Sequence, residues 1–368
     1  MNEVLGVINL INERPILKEL TQHRCLASVP FGARYRLIDF ILSSFVRANI
    51  SKVGIFSKEK YRSLMDHLGS GKEWDLDRHN GGLYILPPVD PGEQMLGDLQ
   101  QFHSHIEFFQ RSRQEMVIIS PGHQICKMDF KKIYDFHKQN EADLTVVYKD
   151  YDGMQPEKPF YHQCTVNDEG EVSDIKLFTF PKKGDPICLE TYVIRKDLLI
   201  ELINDCVRNN EYDFLRDAVK ANLSRLKVKG YRFEGYLPFI HSIQSFYDSS
   251  LQFLNPEVWQ SFFYEEGNVF TKVKHEAPSK YSKEAKVSHS LIANGCEIEG
   301  TVENSILFRG VKVKKGAHIK NSIIMQKVDI ESEAQLENVI ADKQAHIGEK
   351  AVVVGKGRPK VIQKSATL

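Results

Sequence analysis

The chain has 368 residues, enough for two domains that each bury a core of their own. Lys plus Arg and Asp plus Glu both number 49, so the formal charge is zero, which argues against nucleic acid or an anionic membrane as the main partner. No stretch approaches the ~18 uninterrupted apolar residues of a membrane span, and the first residues lack the basic segment of a signal peptide. The six scattered cysteines form no Cys-x-x-Cys pair and read as reduced thiols, so a soluble, cytoplasmic protein is expected.

Residues 4–10 are an apolar run that predicts a first buried strand, and the loop after it reads Ile11-Asn-Glu-Arg-Pro-Ile16. Leu37, Phe40, Ile41 and Phe45 share one face of a helix predicted over 37–48. A strand over 52–57 and a helix over 58–68 follow, then a polar loop whose glycine turns feed a strand at 83–86. Residues 97–109 predict a helix with Leu99, Phe102 and Ile106 inward.

The apolar run Met116-Val-Ile-Ile119 stops at Ser120-Pro121-Gly122, as a buried strand stops at the carboxyl edge of a sheet. Asp129 then stands as an N-cap before Lys131, Ile133 and Phe136. In open α/β sheets ligands bind at such strand-to-helix turns, so the occupants of this turn decide the function. Further strands are predicted at 144–148, 160–166, 171–179 and 189–193, and two helices over 196–225 with a break near Asn209-Asn210.

The carboxy-terminal part changes character. Asn304-Ser-Ile-Leu, Asn321-Ser-Ile-Ile and Asn338-Val-Ile-Ala recur every 17 residues, in register with Val302, Ile319, Leu336 and Val353 and with Gly300, Ala317, Ala334 and Ala351. Val313, Ile330 and Ile347 keep the same step. A period near 18 with β-branched and small residues in alternation predicts a three-sided parallel β-helix. His289, His318 and His346 invite comparison with the general-base histidines of hexapeptide acyltransferases. His318 and His346 lie between inward-pointing positions, however, and are expected to face solvent.

Three segments carry a resemblance that spans nearly the whole chain. Residues 25–40 (Cys-Leu-Ala-Ser-Val-Pro-Phe-Gly-Ala-Arg-Tyr-Arg-Leu-Ile-Asp-Phe), 74–88 (Trp-Asp-Leu-Asp-Arg-His-Asn-Gly-Gly-Leu-Tyr-Ile-Leu-Pro-Pro) and 231–245 resemble segments of the glucose-1-phosphate adenylyltransferases, also called ADP-glucose pyrophosphorylases. The turn at 120–129 is similar to the family's Ser-Gly-Asp-His…Lys-Met-Asp. The resemblance implies an α/β, Rossmann-like nucleotidyltransferase domain followed by a left-handed parallel β-helix. The expected limits are 1–250 for the first domain, 251–285 for a linker and 286–368 for the β-helix.

The departures from the family fall where its chemistry would occur. The two Mg²⁺-binding aspartates are replaced by Gly122 and Phe239, neither of which offers the oxygen that a hard cation needs. The glycine-rich phosphate loop has no glycine left in residues 11–16, and Ile16 takes its arginine slot. Leu26 replaces a phosphate-contacting lysine, while Thr179 and Phe180 replace the Glu-Lys pair that grips the sugar and its phosphate; the bulk of Phe180 is expected to fill that pocket. The helix at 97–109 holds Asp98, Leu99 and Gln100 where the family has small residues.

Nucleotidyl transfer depends on positioning and charge neutralisation, so these losses imply a chain without turnover of its own. The resemblance then points to the GlgD-type branch, with a homologous catalytic subunit as partner in a heterotetramer, Mg²⁺ held by that partner and none here. Arg34, Arg36 and Arg78 are the candidate effector or interface residues. Two alternatives stand beside this reading. One is an active adenylyltransferase using displaced carboxylates such as Asp129 and Asp213; the other is a free-standing sugar-nucleotide sensor.

Overall fold

The computed structural model describes residues 1–368 apart from 2, 79, 80, 90, 91, 93, 154, 155, 157, 159, 160 and 266. Two units emerge, Met1–Arg14 with Phe40–Phe239, and Pro15–Asp39 with Ile240–Leu368. The division therefore falls at 239/240 rather than 250, and residues 15–39 group with the carboxy-terminal unit.

In chain order the first elements are β1 (Val4–Asn9), β2 (Pro30–Phe31), β3 (Tyr35–Arg36), α1 (Leu37–Arg47), β4 (Lys52–Phe56), α2 (Arg62–Leu68) and β5 (Gly82–Leu86). Then come α3 (Asp98–Ser104), α4 (Ile106–Gln110), β6 (Met116–Pro121), α5 (Phe130–Gln139), β7 (Leu144–Asp150), β8 (Tyr161–Val166) and β9 (Val172–Thr179). β10 (Pro186–Arg195), α6 (Lys196–Arg208) and β11 (Val228–Arg232) complete the first unit, and α7 (Ile243–Gln252) and α8 (Pro256–Gln260) open the later part of the second.

The first unit is built on a mixed sheet of order β11-β7-β10-β6-β1-β4-β5, with β8 and β9 attached beside β10. β1 runs parallel to both β4 and β6, and β10 is antiparallel to its neighbours β6 and β7. β1 is apolar on both faces because both are covered. Leu5 and Val7 pack with Leu99, Phe102 and Leu199 on one side. On the other, a Cβ at Gly6 would come within 3.2 Å of Phe45, whose ring stacks on Phe130 of α5 at 4.6 Å. Helices on both faces of a largely parallel sheet give the expected doubly wound arrangement.

Several elements differ from the sequence pattern. Residues 58–61 stay outside α2 because Lys60 takes a left-handed φ of 57°. The helix predicted over 97–109 breaks at His105 (φ −113°) into α3 and α4, so Ile106 is only half-buried. β6 runs two residues past Ile119, since Ser120 and Pro121 stay in register with Ile8 and Asn9. The second helix predicted within 196–225 is a π-helical turn, Phe214–Val219, followed by a 3-10 turn, Lys220–Asn222. The first residue of the strand predicted at 160–166 lies outside the described residues.

In the second unit three five-stranded parallel sheets form the sides of a β-helix. Val302, Ile319, Leu336 and Val353 are consecutive rungs of one side, and Ile298, Val313, Ile330 and Ile347 of another; all are buried. The recurring Asn-Ser pair has a mechanical explanation. Asn304, Asn321 and Asn338 turn the corners at φ 45°, 46° and 54°, a region that asparagine tolerates better than most residues. Asn304 Nδ2 donates to Asn321 Oδ1 at 2.7 Å, and Ser305 Oγ accepts from the N–H of Ser322 at 3.0 Å in the next coil. At Gly300 any Cβ would lie 2.3 Å from the Ala317 carbonyl oxygen, so the coils approach too closely there for a side chain.

The first rung, Lys280–Tyr281, lies inside the expected linker and pairs with Glu297–Ile298. Residues 251–285 also bury Phe253, Phe262 and Phe263. Aromatic packing, which a composition-based linker reading does not register, makes this stretch part of the second unit. Among the described residues no helix is long and apolar enough to cross a membrane.

Candidate functional site

A cavity of about 230 Å³ opens in the first unit at the carboxyl ends of β1 and β6. Asn9 and Pro121 close those two strands, and Asp98 enters from the first turn of α3. β8, β9 and β10 supply His162, Phe178, Glu190 and Tyr192, and the approach to the π-helical turn supplies Asp213 and Phe214. This is the edge at which ligands of open α/β sheets bind.

Asp98 gathers three hydrogen bonds in the cavity lining. It is 1% exposed, and its Oδ2 accepts from the Nδ2 atoms of Asn9 at 2.8 Å and Asn12 at 2.7 Å. Its Oδ1 accepts from the Phe214 N–H at 2.8 Å. Burial, with the Asp213 carboxylate nearby, raises its pKa to about 7 even though the hydrogen bonds from Phe214 and Asn9 oppose the rise.

Arg14 is the cation of the cavity lining. Its Nη2 donates to His162 Nε2 at 2.5 Å and to Glu190 Oε1 at 3.1 Å, and its guanidinium lies 5.2 Å from the centre of the Phe178 ring. Burial and Arg14 together depress the His162 pKa to about 3, so the ring is neutral and Nε2 accepts the arginine proton. Burial raises the Glu190 pKa, with Arg14 opposing. Burial and Arg14 likewise lower His123, in the turn after β6, to about 4.

The vacated family positions lie on different elements of the chain. Gly122 is buried in the turn after β6. Phe239 is 9% exposed, with its ring centre 4.9 Å from Tyr151 and 5.5 Å from Tyr161. A backbone turn and an aromatic cluster do not fit Mg²⁺, which requires oxygen ligands in near-octahedral array. Among the described residues no group of three or more His, Cys, Asp or Glu is placed to hold a metal ion.

Phe180 does not fill the cavity. It is 46% exposed and absent from the lining, whereas Phe178, at a left-handed φ of 53°, forms part of the wall. Thr179 Oγ1 donates to the Tyr161 carbonyl at 3.3 Å. Asp129 caps α5, accepting from the Lys132 N–H at 3.1 Å. Asp213 both accepts from Arg216 N–H at 2.7 Å and reaches the cavity. Sequence reading missed Arg14, His162 and Glu190; the only signal was Asp98, an acidic residue in a slot of small ones.

In the second unit Leu26 is buried within a 3-10 turn, Leu26–Ser28, and Ile16 is half-buried. Arg34 and Arg36 flank Tyr35 in the β2–β3 hairpin. Burial, then the charges of Arg36 and Arg24, press the Lys343 pKa down to about 6. Burial and Arg34 lower that of Arg309. Arg36 and Arg24 thus act on Lys343, and Arg34 on Arg309, with Asp342 opposing at the first and Glu276 and Asp39 at the second. Arg78, in the first unit, is exposed and folds back on its own turn, with Nε donating to the Asp75 carbonyl at 2.7 Å. His318 is exposed beside Glu303, and His289 pairs with Asn304, whereas His346 is half-buried.

A family profile described as nucleotidyl transferase matches residues 16–176, and one described as GlmU-like, C-terminal hexapeptide matches 273–360. The glycogen biosynthesis protein GlgD of Bacillus subtilis (strain 168) is 39% identical over 366 residues, covering 99% of this chain and 96% of that protein. The chain belongs to the GlgD branch of the glucose-1-phosphate adenylyltransferase family. GlgD of Geobacillus stearothermophilus is also 39% identical, over 86% of this chain and 82% of its own length. The glucose-1-phosphate adenylyltransferase of Clostridium perfringens (strain 13 / Type A) is 31% identical, over 86% and 82%. The chain combines a mixed sheet, a cavity at its carboxyl edge and a β-helix, and lines that cavity with carboxylates, a histidine and one paired arginine.

Proposed function

We propose that the chain is a non-catalytic subunit of ADP-glucose pyrophosphorylase, tuning a homologous catalytic subunit in glycogen biosynthesis. The observation that carries this reading is Phe239, seated against Tyr151 and Tyr161 where the family resemblance expects a Mg²⁺ carboxylate. Gly122 at the other position and the acidic cavity point the same way, because adenylyl transfer requires a phosphate chain to be neutralised. Removing one preorganised electrostatic group typically costs about 10²–10³ in rate. The loss of both carboxylates and of the phosphate loop removes several such groups at once.

In this reading the partner holds Mg²⁺ and performs the chemistry, in a cytoplasmic heterotetramer free of nucleic acid and membrane. The chain acts by favouring one conformation of the partner across their interface. Arg34 and Arg36 are the proposed effector contacts, and Arg78 a proposed interface contact. The test is a titration of the chain into the catalytic adenylyltransferase of the same cell, following initial rates of ADP-glucose synthesis. The expected rate changes and saturates at a fixed subunit ratio, with none from the chain alone; a flat response would refute the proposal.

A further inference from the structure

We propose that Lys343 is an acceptor for carbon dioxide, its side-chain amine forming a reversible carbamate held by the Arg24 and Arg36 guanidiniums. The modification is a property of this chain alone and does not rest on the regulatory reading.

The geometry begins with an arginine only half used. The Arg24 side chain is 3% exposed, and its Nη2 serves Asp342, 2.9 Å from each carboxylate oxygen. Its Nη1 is buried and meets no acceptor among the described residues. A buried donor on a charged group is costly without an acceptor, so one more oxygen beside Arg24 would be stabilising.

Lys343 stands next to this arginine's partner. It follows Asp342 in the chain, and its N–H donates to Asp342 Oδ1 at 2.7 Å. Arg36, Arg24 and Lys364 each bring positive charge to bear on its amine, while Asp342, already held by Arg24, opposes them. A third ammonium is the wrong group for such a place, and an anion is the right one.

Burial and these cations lower the Lys343 pKa from 10.5 to about 6. At pH 7 roughly nine-tenths of the amine is then neutral, against about one part in 3,000 for an ordinary lysine. The neutral amine is the nucleophile. Its Nζ lone pair attacks the carbon of carbon dioxide, one C–O π pair moves onto oxygen, and Nζ releases a proton to solvent. Nothing is oxidised or reduced. The new carboxylate accepts charge-assisted hydrogen bonds from guanidinium N–H groups. Lys343 is half-buried, and a small uncharged reagent reaches it without bringing in a charge that must be desolvated.

The test equilibrates the full chain with isotope-labelled bicarbonate, fixes carbamates as esters with triethyloxonium, and maps them by peptide mass spectrometry. The adduct is expected at Lys343 at a level at least about tenfold above that at any other lysine. Arg36→Gln should lower its equilibrium constant about tenfold, the effect of withdrawing one nearby charge. If that variant fails to fold, Lys364→Ala, at an exposed position, replaces it with a smaller loss of the same sign. Lys343→Met should remove this adduct alone. No adduct at Lys343, labelling no stronger there than elsewhere, or an adduct unchanged in a folded charge variant would each overturn the proposal. The regulatory titration reads ADP-glucose synthesis by the partner, so either proposal can fail while the other stands.

Discussion

Arg24 and Asp342, 318 positions apart, form a two-pronged ion pair in which the arginine Nη2 lies 2.9 Å from both carboxylate oxygens. Each side chain is only 3% exposed. The pair ties the 15–39 segment to the β-helix within one unit.

Removing one partner of a buried pair leaves a charge without compensation, typically at a cost of about 3–5 kcal/mol. Asp342→Ala should therefore destabilise strongly. Arg24→Met combined with Asp342→Leu should cost much less than the two single changes added together. Denaturant unfolding of the four proteins in the cycle provides the check, and additive single effects would contradict the pairing.

Asp98 makes a pH prediction of definite sign. Its folded pKa of about 7 lies above the ordinary 3.8, so between those values the folded chain binds more protons than the unfolded one. Stability from this group therefore falls as pH rises from about 4 to about 7, with a limiting slope of about 1.4 kcal/mol per pH unit. Asp98→Asn should flatten that part of the stability profile. Melting of both proteins across this range would show it, and parallel profiles would refute it.

The uneven legibility of the sequence follows from what each pattern encodes. The β-helix repeats one coil, so the 17-residue return of Asn321 and Ile319 reports both corner and core. The turn after β6 was readable because Asp129 is a local cap. The cavity was not readable, because Arg14, His162 and Glu190 meet from positions 148 and 176 residues apart and no local period records such a meeting. Phe178 and Phe180 show the same limit. Neighbours on one strand end, they exchange roles through a single left-handed backbone angle at Phe178.

Lys343 should report on anions. Its folded pKa of about 6 lies below 10.5, so its contribution to stability rises with pH between those values. A polyanion settling beside Arg34, Arg36 and Lys343 would favour the charged amine and raise that pKa. Pyrophosphate binding at pH 8 should then take up protons, and Lys343→Met should abolish the uptake. Calorimetry in two buffers of different ionisation enthalpy measures it directly; identical heats would remove Lys343 from any anion site.

The asparagine corners make a stability prediction that sets backbone against side chain. Asn321 sits at φ 46° and its Oδ1 accepts from Asn304 Nδ2. Asn321→Ala loses the hydrogen bond and adds left-handed strain, for a cost of about 1–3 kcal/mol. Asn321→Gly loses the bond alone and should be milder. Thermal melting of the two variants separates the contributions, and equal losses would mean that the backbone angle is unstrained.

Restoring the missing carboxylates tests how far the site has departed from catalysis. In a Gly122→Asp, Phe239→Asp chain, the new aspartate at 239 would enter the aromatic cluster of Tyr151 and Tyr161, where ionisation is opposed by burial. The cavity would remain acidic through Asp98, Glu190 and Asp213, and the 11–16 loop would still lack glycines. No ADP-glucose synthesis is expected from the double variant, together with a loss of stability of about 1–3 kcal/mol. Mg²⁺-dependent synthesis by this variant would mean that the two carboxylates alone separate the chain from catalysis, and that the acidic cavity does not bar a triphosphate.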